Sequence, residues 1–319
     1  MNNLFKITKK EGILSGALLV VALAAGVTLL GPKGSKGPVQ LTYPRGISVD
    51  AAGKYFYVAN SRAHDILKYR TSDIKLEDDF GEFGRVENGD PKRLAAEMLG
   101  KFNEPNGVAV GPDGLLYVVD TWNSRVQVLD PKNGKVKKVI TSDDGFFGPR
   151  ELVVDKDGSV YVADTGRHRV VKFGTKGERI RVLGSPKGKG DGDGEFNEPI
   201  GLALDPAGNL FVADRLNFRI QVFDSNGHFL RKFKVKGWEA DQIDMEPHLA
   251  LDAARGILYA SDGRGHRILR YTLDGKQGDP IEKGSDGFPL KAPIGVAVDP
   301  TGDLYVSDAG SNKVLRLKP

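Results

Sequence analysis

The residues best suited to acid–base chemistry occupy positions where a repeated pattern otherwise has glycine. In four copies of the pattern, glycine follows two residues after a proline. The copy that begins at Pro149 has Glu151 there, and counting back from Asp252 in a later, shorter copy places His248 at the same position. A carboxylate and an imidazole can together transfer a proton. The sequence alone establishes no catalytic residue, and Glu151 and His248 are the candidates.

The position between the proline and the glycine adds polar side chains suited to an anion. Three copies of the pattern have Arg45, Asn106 and Arg150 there, whereas two others have isoleucine. If the copies are arranged around a common axis, these side chains meet at one end of it. We call this end the mouth of the central channel. We predict a binding site there, formed by Arg45, Asn106 and Arg150, that binds an anion or supports acid–base chemistry.

The pattern that positions these residues is written six times, beginning at residues 44, 105, 149, 199, 247 and 293. Each copy has two short runs of alternating apolar residues, a glycine-containing turn between them and an aromatic residue in the second run. Alternation with period two is typical of strands, and a repeat in the forties containing only strand patterns is typical of propeller blades. The sequence predicts an all-β, six-bladed β-propeller.

Each second strand ends in an acidic residue or its amide, and in five copies a cation follows five residues later. The pairs are Asp120/Arg125, Asp164/Arg169, Asp214/Arg219, Asp262/Arg267 and Asp308/Lys313, with Asn60 and Asp65 in the first copy. A feature present in nearly every blade indicates an ion pair that staples the blade rather than a unique active site.

These features resemble the NHL repeat. The resemblance is clearest at Pro105–Leu129 and Pro199–Phe223, and it extends from about Tyr43 to Leu317. It implies a general interaction scaffold, with a few enzymes among the family. The stretch 247–251 is also similar to the Pro-His ligand motif of peptide-amidating lyases. Zinc needs three or four protein ligands, and no other histidine opens a first strand, so no cofactor is expected.

A second candidate metal site lies in a glycine-rich connector. Asp191, Asp193 and Glu195 alternate there like calcium ligands, without the full spacing of an EF-hand loop. A simple linker between blades is the alternative reading of this stretch.

The loops between second and third strands should share the mouth face and make it basic and aromatic. We predict binding residues on this face at Arg62, Trp122, Arg167, Arg215, Phe218 and Arg264. Exposed Trp, Phe and Arg are typical anchors of protein interfaces. The same residues suit an anionic cell-envelope polymer, and a solvated face without function is the third alternative.

The N-terminal segment indicates a membrane location. Residues 1–11 carry Lys6, Lys9 and Lys10, residues 12–30 carry no charge, and residues 31–38 read as a tether to a propeller over 39–319. At 1.5 Å per residue, 12–30 are long enough to cross a bilayer, and the lysines favour a cytoplasmic tail. A cleaved signal peptide and a buried helix are the alternatives. We expect a single-pass anchor in the inner membrane, with the propeller on the periplasmic or extracellular side.

The composition of the chain limits the classes of partner that we expect. The net charge is only +4, which does not favour nucleic acid, and cysteine is absent. We predict a protein-binding scaffold or accessory subunit of a membrane complex, with a channel-mouth lyase or hydrolase as the alternative. Two further expectations are structural: residues 39–42 complete the last blade, and an insertion within 71–104 contains a short helix over 90–100.

Overall fold

The computed structural model describes residues 39–85, 98–238 and 246–318. The predicted tail, membrane span and tether over 1–38 lie outside these residues, as does most of the predicted helix over 90–100. Within the described ranges, no helix is long and apolar enough to cross a membrane.

The described residues form six antiparallel sheets, each built from strands consecutive in the chain. Blade 1 contains β1 (Pro44–Val49), β2 (Tyr55–Asn60), β3 (Asp65–Arg70) and β4 (Lys75–Phe80), followed by the short strands β5 (Glu82–Phe83) and β6 (Lys101–Phe102) of the insertion. Blade 2 contains β7 (Pro105–Val110), β8 (Leu116–Asp120), β9 (Arg125–Leu129) and β10 (Val136–Ile140). Blade 3 contains β11 (Glu151–Val154), β12 (Val160–Asp164), β13 (Arg169–Phe173) and β14 (Arg179–Leu183).

The other three blades repeat this order. Blade 4 contains β15 (Pro199–Leu204), β16 (Leu210–Asp214), β17 (Arg219–Phe223) and β18 (Phe229–Lys234). Blade 5 contains β19 (Leu249–Asp252), β20 (Ile257–Asp262) and β21 (Arg267–Thr272), and blade 6 contains β22 (Pro293–Val298), β23 (Leu304–Asp308) and β24 (Lys313–Leu317). One-turn 3₁₀ helices join the second and third strands of blades 1 to 4, at Ser61–Ala63, Thr121–Asn123, Thr165–Arg167 and Arg215–Asn217.

Period-two alternation sends successive side chains to opposite faces of each blade, where they pack against different neighbours. In β2, Phe56 and Val58 face blade 6, whereas Tyr57 and Ala59 face blade 2. The described residues form six buried apolar clusters, one at each interface between neighbouring blades. The ring closes between blades 6 and 1, which places the six first strands around a common axis.

Ring closure uses the N-terminal residues differently from expectation. The structure assigns no strand to residues 39–42: Val39 makes a single β-bridge, and its side chain packs with Leu41 against the cluster between blades 6 and 1. Counting the described residues alone, blades 5 and 6 are three-stranded, and in blade 5 isolated bridges from Ile281 to Ile268 and from Gln277 to Tyr271 lie beyond β21. Apolar packing thus closes the ring, together with a hydrogen bond from the N–H of Tyr43 to Asn312 Oδ1.

Four of the predicted ion pairs form, in blades 2 to 5, and in blade 2 the aspartate also binds the loop that enters the blade. Asp120, fully buried, accepts hydrogen bonds from Arg125 Nε at 2.8 Å, from the Gln127 amide at 3.1 Å and from the backbone N–H of Asn103 at 2.7 Å. Blades 3, 4 and 5 have the same Asp–Arg pair. Blade 6 differs: backbone N–H groups surround Asp308, and within the part of the chain that the structure describes no ion pair joins it to Lys313.

Candidate functional site

Strand register places both candidate catalytic residues at the glycine position of the repeat. In blade 4, Leu202 pairs with Val212, two residues before Asp214; in blade 5, Leu249 pairs with Ala260, two residues before Asp262. The residues before these leucines therefore correspond, which aligns His248 with Gly201. The pairing of Leu152 with Val162 aligns Glu151 in the same way.

Glycine is needed at this position because first strands of neighbouring blades approach closely. A Cβ on Gly201 would lie 2.5 Å from the carbonyl oxygen of Pro247, and one on Gly46 would lie 2.4 Å from that of Asn106. Blades 3 and 5 use the position differently: the Glu151 carboxylate contacts Nδ1 of His248, and both side chains are buried. The pair joins blades 3 and 5, on either side of blade 4.

This pair lies off the wall of the mouth cavity, and its remaining polar atoms differ in their partners. Glu151 Oε1 accepts a hydrogen bond from the backbone N–H of Leu152 at 2.9 Å. His248 Nε2 is buried without a hydrogen-bond partner among the described residues. Neither residue lines the cavity at the mouth of the central channel, so the geometry does not bring them to a substrate held there.

Glu246 connects the predicted arginines. Pro247 lies one residue closer to Asp252 than Pro199 does to Asp205 of blade 4, so Glu246 stands where the repeat has proline. Its carboxylate lies 3.0 Å from Arg45 Nε and 3.2 Å from Arg150 Nη1. The Asn106 amide, with its oxygen turned to these guanidinium groups, accepts from Arg45 Nη1 at 3.2 Å and from Arg150 Nη1 at 3.3 Å. The structure thus brings together the three predicted mouth residues.

A cavity of about 300 Å³ opens at this mouth. Four arginines and two glutamates line it together with three other residues: Arg45, Arg62, Arg150, Arg215, Glu198, Glu246, Tyr43, Thr165 and Ile200. Burial, with Arg45 and Arg215 nearby, lowers the pKa of Arg150, while Glu246 and Glu104 oppose this shift. Arginine starts from so high a pKa that the guanidinium stays charged near neutral pH. Like charges are therefore held together at the mouth.

The entry loops bring further side chains to the mouth through an unusual backbone. Tyr43, Glu104 and Glu198 each precede the repeat proline and have positive φ of 54°, 49° and 56°. Side chains from the preceding blade hold these backbones: His64 Nδ1 accepts from the N–H of Glu104 at 3.0 Å, and His168 Nδ1 from that of Glu198 at 3.1 Å. Sparsely populated backbone of this kind persists where surrounding contacts enforce it.

Aromatic rings at the mouth contact the arginines. The guanidinium groups of Arg45 and Arg62 lie 5.1 Å and 4.4 Å from the Tyr43 ring centroid. Arg150 lies 5.6 Å from the ring of Trp122, which is 49% exposed. These distances are typical of cation–π contacts. The rings hold the guanidinium groups at the rim of the cavity.

The predicted face residues separate into two groups. Arg62, Trp122, Arg167 and Arg264 are exposed on the mouth face. Arg215 is instead buried in the cavity wall, where it pairs with Glu198, and Phe218 is half-buried against the cluster between blades 4 and 5. Two exposed aromatic residues of this face, Phe83 and Phe147, were not among the predicted residues; they are 57% and 62% exposed.

In the second candidate metal site, two of the three carboxylates, those of Asp193 and Glu195, have other partners. Asp193 pairs with Lys232 at 2.5 Å, Glu195 Oε2 accepts from the backbone N–H of Gly192, and the Asp191 carbonyl accepts from Arg219. No group of three His, Asp or Glu side chains suited to a metal ion occurs in the described parts of the chain.

Sequence reasoning missed the acidic half of the mouth. The position of Glu246 could be predicted from the sequence, because the shorter spacing from Pro247 to Asp252 moves a carboxylate into the proline position. Tyr43, Glu104 and Glu198 all directly precede that proline. Their placement depends on positive φ, which the side-chain pattern does not indicate.

Comparison with known proteins supports the repeat. The NHL repeat model matches residues 102–129, 146–173, 196–223 and 290–317. The chain is 29% identical over 136 residues to human E3 ubiquitin-protein ligase TRIM32, covering 40% of this chain and 20% of that protein. It is 27% identical over 160 residues to Drosophila melanogaster protein brain tumor, covering 48% and 13%. The chain thus spans a fifth or less of these relatives.

Solved structures share the fold at low identity. A chain of Kuenenia stuttgartiensis hydrazine synthase superposes with a TM-score of 0.61 at 16% identity, covering 91% of this chain and 99% of that one. Virginiamycin B lyase from Staphylococcus aureus gives 0.58 at 18% identity, covering 88% and 82%. The gluconolactonase XC5397 from Xanthomonas campestris gives 0.63 at 14% identity, covering 87% and 86%. Repeat match, topology and superpositions agree: the chain is a six-bladed β-propeller with NHL repeats in blades 2, 3, 4 and 6.

Proposed function

We propose that this propeller is a protein-binding scaffold, an accessory subunit of a membrane complex, that docks its partner on the mouth face. The observation that carries the proposal is a group of exposed aromatic residues beside the arginine-lined cavity. Trp122 and Phe147 lie in the loops of blades 2 and 3, and Phe83 packs edge-on against His64 of blade 1. Rigid aromatic side chains next to arginine are the usual centre of a protein interface.

Residues 12–30 are proposed to anchor the scaffold in the inner membrane, with the propeller on its periplasmic or extracellular side. The uncharged stretch and the lysines before it support this proposal. Carbonate extraction of membranes checks it: the full chain should stay in the pellet, and a chain lacking residues 1–30 should be released. Release of the full chain would contradict the anchor.

The docking face is tested by purifying the full chain from its native membranes in mild detergent. We expect a stoichiometric partner with the wild-type chain and its loss from the Trp122→Asp and Phe147→Asp variants. The control is Ile180→Asp, which changes a 52% exposed apolar residue on β14. A partner retained equally by all variants would contradict use of this face.

The enzyme alternative gains less support from the geometry. The two candidate acid–base residues, Glu151 and His248, contact each other, but both are buried outside the cavity wall. A general base must come within hydrogen-bond reach of the proton it takes. We therefore assign the pair to the support of the mouth rather than to catalysis.

A further inference from the structure

We infer that the mouth cavity is a receptor for a carboxylate or phosphate oxyanion, which takes over guanidinium contacts that Glu246 now shares between Arg45 and Arg150. We take the oxyanion to be an acidic side chain of the docked protein, and only this choice of source rests on the proposed function. The site itself follows from three features of the cavity.

The first feature is charge. Four arginines and two glutamates line the cavity, which leaves a surplus of two positive charges. Glu104 lies 3.9 Å from Arg45 Nη1, and counting it still leaves one. Three of the lining residues, Arg45, Arg150 and Arg215, are mostly buried, where charges interact more strongly than in water. An added anion neutralises this surplus.

The second feature is incomplete hydrogen bonding between Arg45 and Glu246. Arg45 Nε and Glu246 Oε2 are 3.0 Å apart, yet the N–H does not point at the oxygen. Both atoms are buried and have no hydrogen-bond partner among the described residues. A buried polar atom without a partner costs about 1–3 kcal/mol. An oxyanion beside Arg45 supplies the acceptor that Glu246 does not.

The third feature is shape. The planar guanidinium fork binds carboxylate and phosphate through two parallel N–H groups. Glu246 contacts Arg45 and Arg150 through different oxygens, so neither arginine holds it with both prongs. At about 300 Å³ the cavity accommodates an acidic side chain or a small free anion.

The test measures the thermal unfolding midpoint of the purified full chain as each of three probes is added. The probes are inorganic phosphate, succinate and a tetraglutamate peptide, with ionic strength held constant by sodium chloride. A ligand that binds the folded state raises the midpoint with its concentration. We expect all three to stabilise the wild-type chain beyond the sodium chloride control, with tetraglutamate effective at the lowest concentration.

Two variants move the binding in opposite directions. Glu246→Gln removes the competing carboxylate and should tighten phosphate binding roughly tenfold, equivalent to about 1.4 kcal/mol. Arg150→Gln removes a charged donor and should weaken it by roughly ten- to a hundredfold. Arg179→Gln, on the outer strand β14, is the matched control and should leave binding unchanged. Tighter binding in Glu246→Gln cannot come from misfolding.

Each outcome is decisive. No stabilisation of the wild-type chain beyond sodium chloride, or equal binding by Glu246→Gln and wild type, overturns the site. If phosphate binds more tightly than tetraglutamate, the site stands, but its ligand is a free anion rather than an acidic side chain of a partner. If the anions do not bind but the Trp122→Asp variant loses the partner, only this inference is overturned. If the anions bind but no partner co-purifies, only the proposed docking is overturned.

Discussion

Glu151 of blade 3 and His248 of blade 5 contact each other through a carboxylate oxygen and Nδ1 of the imidazole, at the level where the other four first strands have glycine. The two residues are 7% and 2% exposed. This buried contact therefore joins two blades that are not neighbours, as the contacts of Glu246 with Arg45 and Arg150 also do. Each partner satisfies a polar group that the other would leave buried and unpaired.

The first prediction is that Glu151 and His248 are energetically coupled. Replacing either one by glycine, the residue of the other blades, should lower the free energy of unfolding by about 1–3 kcal/mol because its partner loses a buried contact. The double variant should lose less than the sum, with a coupling energy of about 0.5–3 kcal/mol. Urea unfolding of the four proteins measures this, and strictly additive losses would show that the contact contributes nothing.

The second prediction concerns the close approach of blades 2 and 3. Gly107→Ala places a Cβ 2.8 Å from Glu151 Cα and 2.9 Å from the Arg150 carbonyl oxygen, so backbone must move. Overpacking of this kind costs about 1–3 kcal/mol or more. Gly114→Ala is the control, because its Cβ meets nothing within 4 Å and only a φ of 72° opposes it. Thermal unfolding should rank Gly107→Ala as the more destabilised variant; the reverse ranking contradicts the prediction.

The third prediction is that restoring the repeat's aspartate in blade 1 destabilises the protein. Asn60 is fully buried, accepts from the N–H of Thr42 at 2.6 Å and donates its amide to the Gln40 carbonyl at 3.0 Å. Aspartate cannot donate, and the residue opposite it is Asp65 rather than arginine. An uncompensated buried charge costs about 3–5 kcal/mol.

Asn60→Asp tests this in chemical denaturation at neutral pH. The companion variant Asn60→Asp/Asp65→Arg supplies the cation found five residues after the aspartate in blades 2 to 5 and should recover part of the loss. A single Asn60→Asp variant as stable as wild type would show that the Gln40 contact and the missing cation are both unimportant.

The elements of this fold follow from the sequence to different degrees. Strand alternation, the turns and the Asp120/Arg125 pair are local patterns repeated in nearly every blade, so each copy supports the others and the fold was predictable. Arg45 and Arg150 were placed at the mouth by repeat alignment. Their counter-ion was not predicted: the shifted proline of blade 5 indicates the position of Glu246, but the repeat pattern does not show which residues of other blades its carboxylate contacts.

Residues at special backbone positions were the hardest to interpret. Arg215 looked like an exposed face residue, but its position at the start of the 3₁₀ turn buries it against Glu198. Phe218 has a φ of 54°, which a side-chain pattern does not reveal, and packs against the core. A sequence pattern reports which loop a residue occupies, whereas dihedral angles decide whether its side chain points outward.

The fourth prediction is that His64 makes the stability of the mouth depend on pH. Its Nδ1 accepts a hydrogen bond from Glu104, which requires an unprotonated nitrogen. Burial lowers the pKa of His64 below its usual 6.5, and the charges of Glu104 and Asp120 offset only part of this shift. The unfolded chain therefore binds the proton more readily than the folded chain, so the free energy of unfolding rises with pH between the two pKa values.

The contribution of His64 should be complete above about pH 6.5 and should be lost as the pH falls through its folded pKa. His64→Asn separates this effect from general acid sensitivity, because blade 6 already has Asn312 at the equivalent position, with Oδ1 accepting from the N–H of Tyr43 at 2.8 Å. Asparagine also tolerates the φ of 62° found at His64.

We expect urea unfolding across this pH range to show wild type losing stability relative to His64→Asn on acidification. His228→Asn, at a histidine whose side chain is 73% exposed, should retain the wild-type profile. Parallel profiles for wild type and His64→Asn would mean that the imidazole is not the titrating group at the entry to blade 2.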